Sequence, residues 1–195
     1  MPKRITELTD ETAPTRDDEY LAIDSSGGGS RKIQLKALLG TGWAYYDDST
    51  YTSGSPLNSN NAKTQITVDG SGGDSVTSEL PIGVSALWNA STNKIIAPVT
   101  GDSLRVRLDF VADPATSSDF AEIVFDIGSG SPVEIGRDTV TFAKTGATRF
   151  FRTYDLFAGS TFTANGCTVY FDTSVSGDSI DIYNLGIKVE RVYSA

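Results

Sequence analysis

Ser103-Leu104-Arg105-Val106-Arg107-Leu108-Asp109-Phe110 is the stretch that decides the fold class. In an extended chain successive side chains point to opposite sides, so Leu104, Val106, Leu108 and Phe110 line one face and Ser103, Arg105, Arg107 and Asp109 the other. Such alternation marks a half-buried antiparallel strand with an apolar side for a core and a polar side for water.

Runs of similar texture follow at regular spacing: Phe120 to Ile127, Arg137 to Ala143, Ala147 to Phe157, Thr161 to Asp172 and Ser179 to Val192. Turn residues separate them, among them Gly128, Gly130 with Pro132, Lys144 to Gly146, Gly159, and Gly177 with Asp178. Shorter runs, Gln65 to Val68 and Ile95 to Pro98, precede them. About eight strands at this spacing, with no amphipathic helix between them, predict an all-β antiparallel β-sandwich or jelly roll. In the last run Ile180 and Ile182 occupy even positions but Leu185, Ile187 and Val189 odd ones. A bulge near Tyr183, Asn184 and Gly186 accounts for that slip, because one extra residue re-aims every later side chain.

The texture before Trp43 is different, which divides the chain into a segment over 1–42 and a domain over 43–195. The early segment is polar, with Asp17, Asp18 and Glu19 and a glycine run at Gly27, Gly28 and Gly29. Tyr20 to Ile23 alternates, and Ile33 with Leu35 does the same after the glycines, so a small hairpin is expected. Lys36 to Leu39 fits one helical turn, with Gly40 in the left-handed position that ends it. An isolated hairpin is marginal in water, so this segment needs a surface to dock on.

Composition excludes several functions. A formal charge of −9 disfavours a nucleic-acid partner. No run approaches the roughly 20 apolar residues of a membrane span, so no membrane insertion is expected. Met1 to Asp10 lacks the apolar core of a secretory signal, which places synthesis in a cytoplasm. The chain has no His and one Cys, so Ser-His-Asp and Cys-His nucleophile systems, His-containing metal sites and an intrachain disulfide are all ruled out. Cys167, between strand-like neighbours, reads as a small buried hydrophobe.

The remaining chemical candidates read as structure. Asp69-Gly70-Ser71-Gly72-Gly73-Asp74 superficially suggests a calcium loop, but Asp74 stands where an EF-hand needs Gly and Leu80 where it needs Glu. A flexible loop is the expectation. Glu122, Asp126 and Glu134 are the carboxylates that a glycosidase reading would use. Glu122 and Asp126 on one strand face lie about 13 Å apart at normal rise, too far for either standard separation. The chain is therefore expected to be no enzyme, with no catalytic residues, no metal and no cofactor. Trp43, Tyr45 and Tyr46 form a candidate glycan platform, whose simpler reading is a first strand packing where the two regions join.

The opening resembles a segment found at the N-termini of phage fibre, spike and decoration proteins. The matching residues are Ile5, Thr6, Glu7, Leu8 and Thr9, then Leu21, Ile23 and Asp24, then Lys32, Ile33, Leu35, Leu38 and Leu39. The resemblance implies a virion anchor, with Ile5, Leu8, Leu21, Ile23, Ile33, Leu35, Leu38 and Leu39 as its attachment residues. The remainder resembles the trimeric jelly rolls of phage surface proteins, relatives in shape of the tumour-necrosis-factor-like domain. Trp88, Asn93, Lys94, Ile95, Pro98, Gly101, Asp102, Leu104 to Phe110 and the final strand Asp178 to Val192 carry that likeness.

The expected function is a homotrimeric, non-enzymatic phage structural protein, a head fibre or capsid decoration resident in the virion after synthesis in host cytoplasm. Its partners would be capsid or tail scaffold proteins. Two alternatives stay open: a short tail fibre or adaptor binding host surface glycans, and a free carbohydrate-binding module. A further argument supports oligomerisation. Phe142, Phe150, Phe151, Phe157, Phe162, Tyr170 and Phe171 exceed what one thin sandwich needs, and adjacent Phe150 and Phe151 cannot both enter one core. Phe150, Phe151, Tyr183, Leu185 and Ile187 are the candidate trimer contacts.

Overall fold

A computed structural model describes residues 20–25, 29–34, 40–116, 119–143 and 145–193. The first two ranges are strands β1 (Tyr20–Ser25) and β2 (Gly29–Gln34), which pair antiparallel with Leu21 opposite Ile33 and Ile23 opposite Arg31. The expected hairpin is therefore present. The helical turn at Lys36 to Leu39 lies outside the described residues. Gly40, at φ 59°, has the left-handed backbone expected of it.

Eleven further strands form two sheets. The first contains β3 (Gly42–Asp47), β4 (Leu57–Asn60), β8 (Ser103–Pro114), β11 (Thr148–Phe157) and β13 (Ser179–Tyr193), in the order β11-β8-β13-β3, with β4 also on β13. The second contains β5 (Lys63–Gln65), β6 (Trp88–Asn89), β7 (Lys94–Ile95), β9 (Asp119–Asp126), β10 (Glu134–Phe142) and β12 (Cys167–Asp172). Its order is β10-β9-β12-β7-β6, with β5 also on β12.

The pairings nest. β3 pairs with the last strand, β13, and β5 and β7 pair with β12, the strand before it. Further in, β8 pairs with β11, and β9 with β10 as the innermost hairpin. A long hairpin folded over on itself in this way is a jelly roll, the all-β architecture the alternating runs predict.

The quoted stretch supplies the centre of the core. Leu104, Val106, Leu108, Phe110 and Ala112 of β8 are buried against Ala121, Ile123 and Phe125 of β9 and Val169 and Phe171 of β12. The Phe110 ring meets Phe171 edge-on across the two sheets at 5.6 Å and stacks on Phe150 at 5.4 Å. Near the β10 and β11 edges, Phe125 meets Tyr154 at 4.8 Å and Phe142 meets Phe150 at 5.4 Å. Cys167 is fully buried, and burial pushes its thiol up to about 12, so at neutral pH it is an inert core residue.

The slip in the last strand is a bulge. Register against β8 shifts between Tyr183 and Gly186, and Asn184 takes a left-handed φ of 49°. The consequence is that Ile180 and Ile182 before it and Leu185, Ile187 and Val189 after it are all buried.

Three expectations need correction. Thr161 to Asp172 is not one strand: Ser160–Asn165 is a short helix, α1, and only Cys167–Asp172 is extended. Gly166 ends the helix at φ 72° with its N–H on the Phe162 carbonyl, and buried Phe162 anchors it to the core. The shorter early runs also pair less than expected, over Lys63–Gln65 and Lys94–Ile95 alone, although Ile66, Val68 and Ala97 beyond them are buried. Asp109, expected on the water side, is only 2% exposed.

Candidate functional site

The two sheets present different outer faces. On the second sheet Lys63 bonds Glu134 at 3.0 Å, Arg137 bonds Glu134 at 2.7 Å, and Arg137 also bonds Glu122. The Lys63 ammonium lies 4.7 Å over the Tyr170 ring. Hydrogen bonds from Arg137 and Lys63 hold the Glu134 carboxyl below its ordinary range. A half-exposed ion ladder of this sort is content in water and contributes little to stability.

The first sheet offers something else. Register places Trp43, Glu190, Arg105 and Asp155 in one outward row across β3, β13, β8 and β11, and Tyr45, Lys188, Arg107 and Thr153 in the next. Asp47, Gly186, Asp109 and Phe151 form the third row. At one end Tyr193 and Phe157 flank Ser103, and at the other Tyr183, Val111 and Arg149 lie in line. Phe151 is 61% exposed, Phe157 68% and Tyr193 60%. Beside Phe157 and Val192 a groove of about 290 Å³ is walled by the Arg105–Asp155 pair, itself 3.0 Å apart.

The charges among these rings are partly desolvated. Arg107 donates to Asp109 Oδ2 at 2.8 Å, while Asp109 Oδ1 is buried and makes no hydrogen bond. Gly186 has no side chain here for a physical reason: a Cβ would overlap the Tyr45 hydroxyl packed over it. Burial, then the charges of Asp109 and Asp47, raise the Tyr45 phenol above its ordinary value. The Arg149 guanidinium sits 5.3 Å over the Phe151 ring, and the Lys188 ammonium 4.7 Å over Trp43.

The candidate residues scatter when placed on this frame. Of the proposed trimer contacts, Phe151 is exposed and Tyr183 half-buried, but Leu185 and Ile187 are buried within the chain's own core. The bulge turned them inward, so neither offers surface to a partner. Phe150 also faces inward, packed on the core. The glycan platform likewise divides. Trp43 and Tyr45 share the outer face, whereas Tyr46 is 7% exposed and accepts the Leu87 N–H at 3.0 Å, so it cannot join them. Ile5, Leu8, Leu35, Leu38 and Leu39 lie outside the described residues. Leu21, Ile23 and Ile33 are placed on the hairpin by backbone alone.

The carboxylates singled out for chemistry have structural work. Glu122 and Glu134 share Arg137. Asp126 accepts the N–H groups of Gly128 and Val133, both at 2.8 Å, and so shapes the turn before β10. Asp69 is not part of a free-hanging loop. Desolvation would raise its carboxyl, but hydrogen bonds from Ser49, Ser71 and Thr50 outweigh that and hold it below the ordinary value. Phe157 belongs to the aromatic surplus legible in the sequence, whereas Tyr193 and Arg149 are not among the sequence candidates, although the alternation through Ala147 to Phe157 puts Arg149 on the same side as Phe151 and Phe157.

Fold and faces together define an antiparallel jelly roll whose candidate site is a sheet surface carrying aromatic rings and arginines. No protein-family model matches the chain, and no curated protein does. Among solved structures it is similar to the Eiger TNF of S. frugiperda, at 10% identity and TM-score 0.43, over 80% of this chain and 93% of that one. It is also similar to the vertex protein P5 of PRD1, at 11% identity and TM-score 0.43, over 95% and 87%. A family 16 carbohydrate-binding module is similar over 49% of this chain and 65% of that one, at 11% identity and TM-score 0.32.

Proposed function

We propose that this chain is a non-enzymatic structural protein of a phage virion, a homotrimeric head fibre or capsid decoration attached through its N-terminal segment. What carries the reading is the contrast between the two outer faces. An ion ladder suits the second sheet to water, while Phe151, Phe157 and Tyr193 leave large rings uncovered on the first. Aromatic residues and arginine are enriched at the centres of protein interfaces, and an exposed apolar patch marks a surface that meets a partner. In a homo-oligomer with closed symmetry the partner surface is supplied by another copy of the same chain. The threefold order and the attachment role rest on the sequence resemblance. On this reading the hairpin of β1 and β2, marginal by itself, finds its stability on the particle.

The test is made on intact particles. An antibody against the jelly roll should label the head, and a chain beginning after Leu39 should fold and associate but no longer join particles. Labelling confined to the tail tip would move the protein to a short tail fibre that contacts host glycans. Incorporation of the truncated chain would overturn the attachment role.

A further inference from the structure

We infer that Asp109 is the acceptor of an ion pair between copies of this chain, its free carboxylate oxygen taking the guanidinium of Arg149 of the partner subunit. The inference rests on the oligomeric reading above and assigns that contact its central polar pair.

Asp109 points outward from β8, yet is 2% exposed. One oxygen holds Arg107 at 2.8 Å; the other is buried and receives no donor. The Tyr45 hydroxyl, packed over the neighbouring Gly186, makes no hydrogen bond to it. A desolvated carboxylate oxygen left without a donor is costly, and such groups in native assemblies are found with a partner. Asp109 stands in the outward row between Gly186 and Phe151, and the Tyr45 hydroxyl lies over that neighbouring glycine.

The donor follows from the rest of the face. Arg105 is paired with Asp155, and Arg107 with Asp109 itself. Arg149 is exposed and has no carboxylate within ion-pair distance among the described residues; it lies over the Phe151 ring. Phe151 is the cross-strand neighbour of Asp109, and Arg149 is the next outward residue of β11. Acceptor and donor are thus one step apart on the lattice of the sheet. In the proposed contact the Arg149 of one copy meets the Asp109 of another. Arginine suits the role because its planar fork remains charged and matches a carboxylate that has one oxygen already engaged.

The experiment uses the full chain with Asp109→Asn and Arg149→Ala, separately and together, and reads association by sedimentation equilibrium after circular dichroism has confirmed the fold. Each single variant should associate at least tenfold more weakly, and the double variant no more weakly than the worse single one. An equimolar mixture of the two single variants should associate more tightly than either alone, because an intact Asp109 then meets an intact Arg149 across a subunit boundary. A pair within one chain gains nothing from mixing, so a mixture no tighter than its components overturns the inference. Effects that multiply in the double variant, or an Arg149→Ala chain as tightly associated as wild type, also overturn it and leave the oligomer standing. A monomeric wild type removes the oligomeric reading and the pair with it.

Discussion

Phe110→Ala should lower the free energy of unfolding by about 3–5 kcal/mol, the range for removing a fully buried phenylalanine from a close-packed core. Phe110 has no exposed surface, and its ring is the point where β8 of the first sheet meets Phe171 of the second. It also stacks on Phe150, so the lost ring leaves a void between two aromatics, Phe150 and Phe171, one from each sheet. The loss is a large share of the 5–15 kcal/mol by which native domains are stable. Urea unfolding followed by tyrosine and tryptophan fluorescence measures it. A cost below about 1 kcal/mol would mean that the two sheets do not meet at this ring.

Asp102→Ala should be as damaging for a different reason. Asp102 is completely buried and Arg191 only 6% exposed, with Arg191 Nη2 donating to Asp102 Oδ1 at 2.7 Å. The other Asp102 oxygen accepts the Val99 N–H at 3.0 Å and shapes the turn into β8. Removing the carboxylate strands a buried guanidinium whose Nε already has no hydrogen bond, which costs about 3–5 kcal/mol. Replacing both partners with Asp102→Leu and Arg191→Met removes the charge as well as its partner. The double variant should therefore recover most of the single variant's loss in the same unfolding experiment. Equal losses in the two would show that the turn hydrogen bond to Val99, not the ion pair, is what matters.

How far the sequence reaches is clear from individual residues. Alternation through Ser103 to Phe110 located the strand around which the core forms, because burial on one face imposes a period of two that no helix shares. The phase change after Ile182 places a bulge near Tyr183, Asn184 and Gly186, since the apolar side chains on both sides of it have to reach one core. Three things stayed hidden. Thr161 to Asn165 alternates like a strand, and only tertiary packing of Phe162 selects a helix there. Asp109 shares its alternation with Arg105 and Arg107, so nothing local distinguishes a desolvated carboxylate from a solvated one. Tyr45 and Tyr46 look alike as a pair, but neighbouring strand positions point to opposite sides and only one can reach a partner.

The candidate surface was legible in part. The adjacent pair Phe150 and Phe151 showed that one ring must face outward, and Phe151 does. Leu185 and Ile187 lie on the same closing strand as Tyr183, but the bulge after Tyr183 turns both into the core. Tyr193 joins the face through the register of β13 on β8, a long-range pairing that composition and periodicity do not encode, whereas Arg149 and Phe157 share the Phe151 side of β11 by alternation alone.

The most direct test of the account is the mass of the full chain in solution, by light scattering at micromolar concentration. The account predicts a single species of three times the chain's 20.7 kDa. A stable species of one chain mass, with Phe151, Phe157 and Tyr193 left open to water, would contradict it.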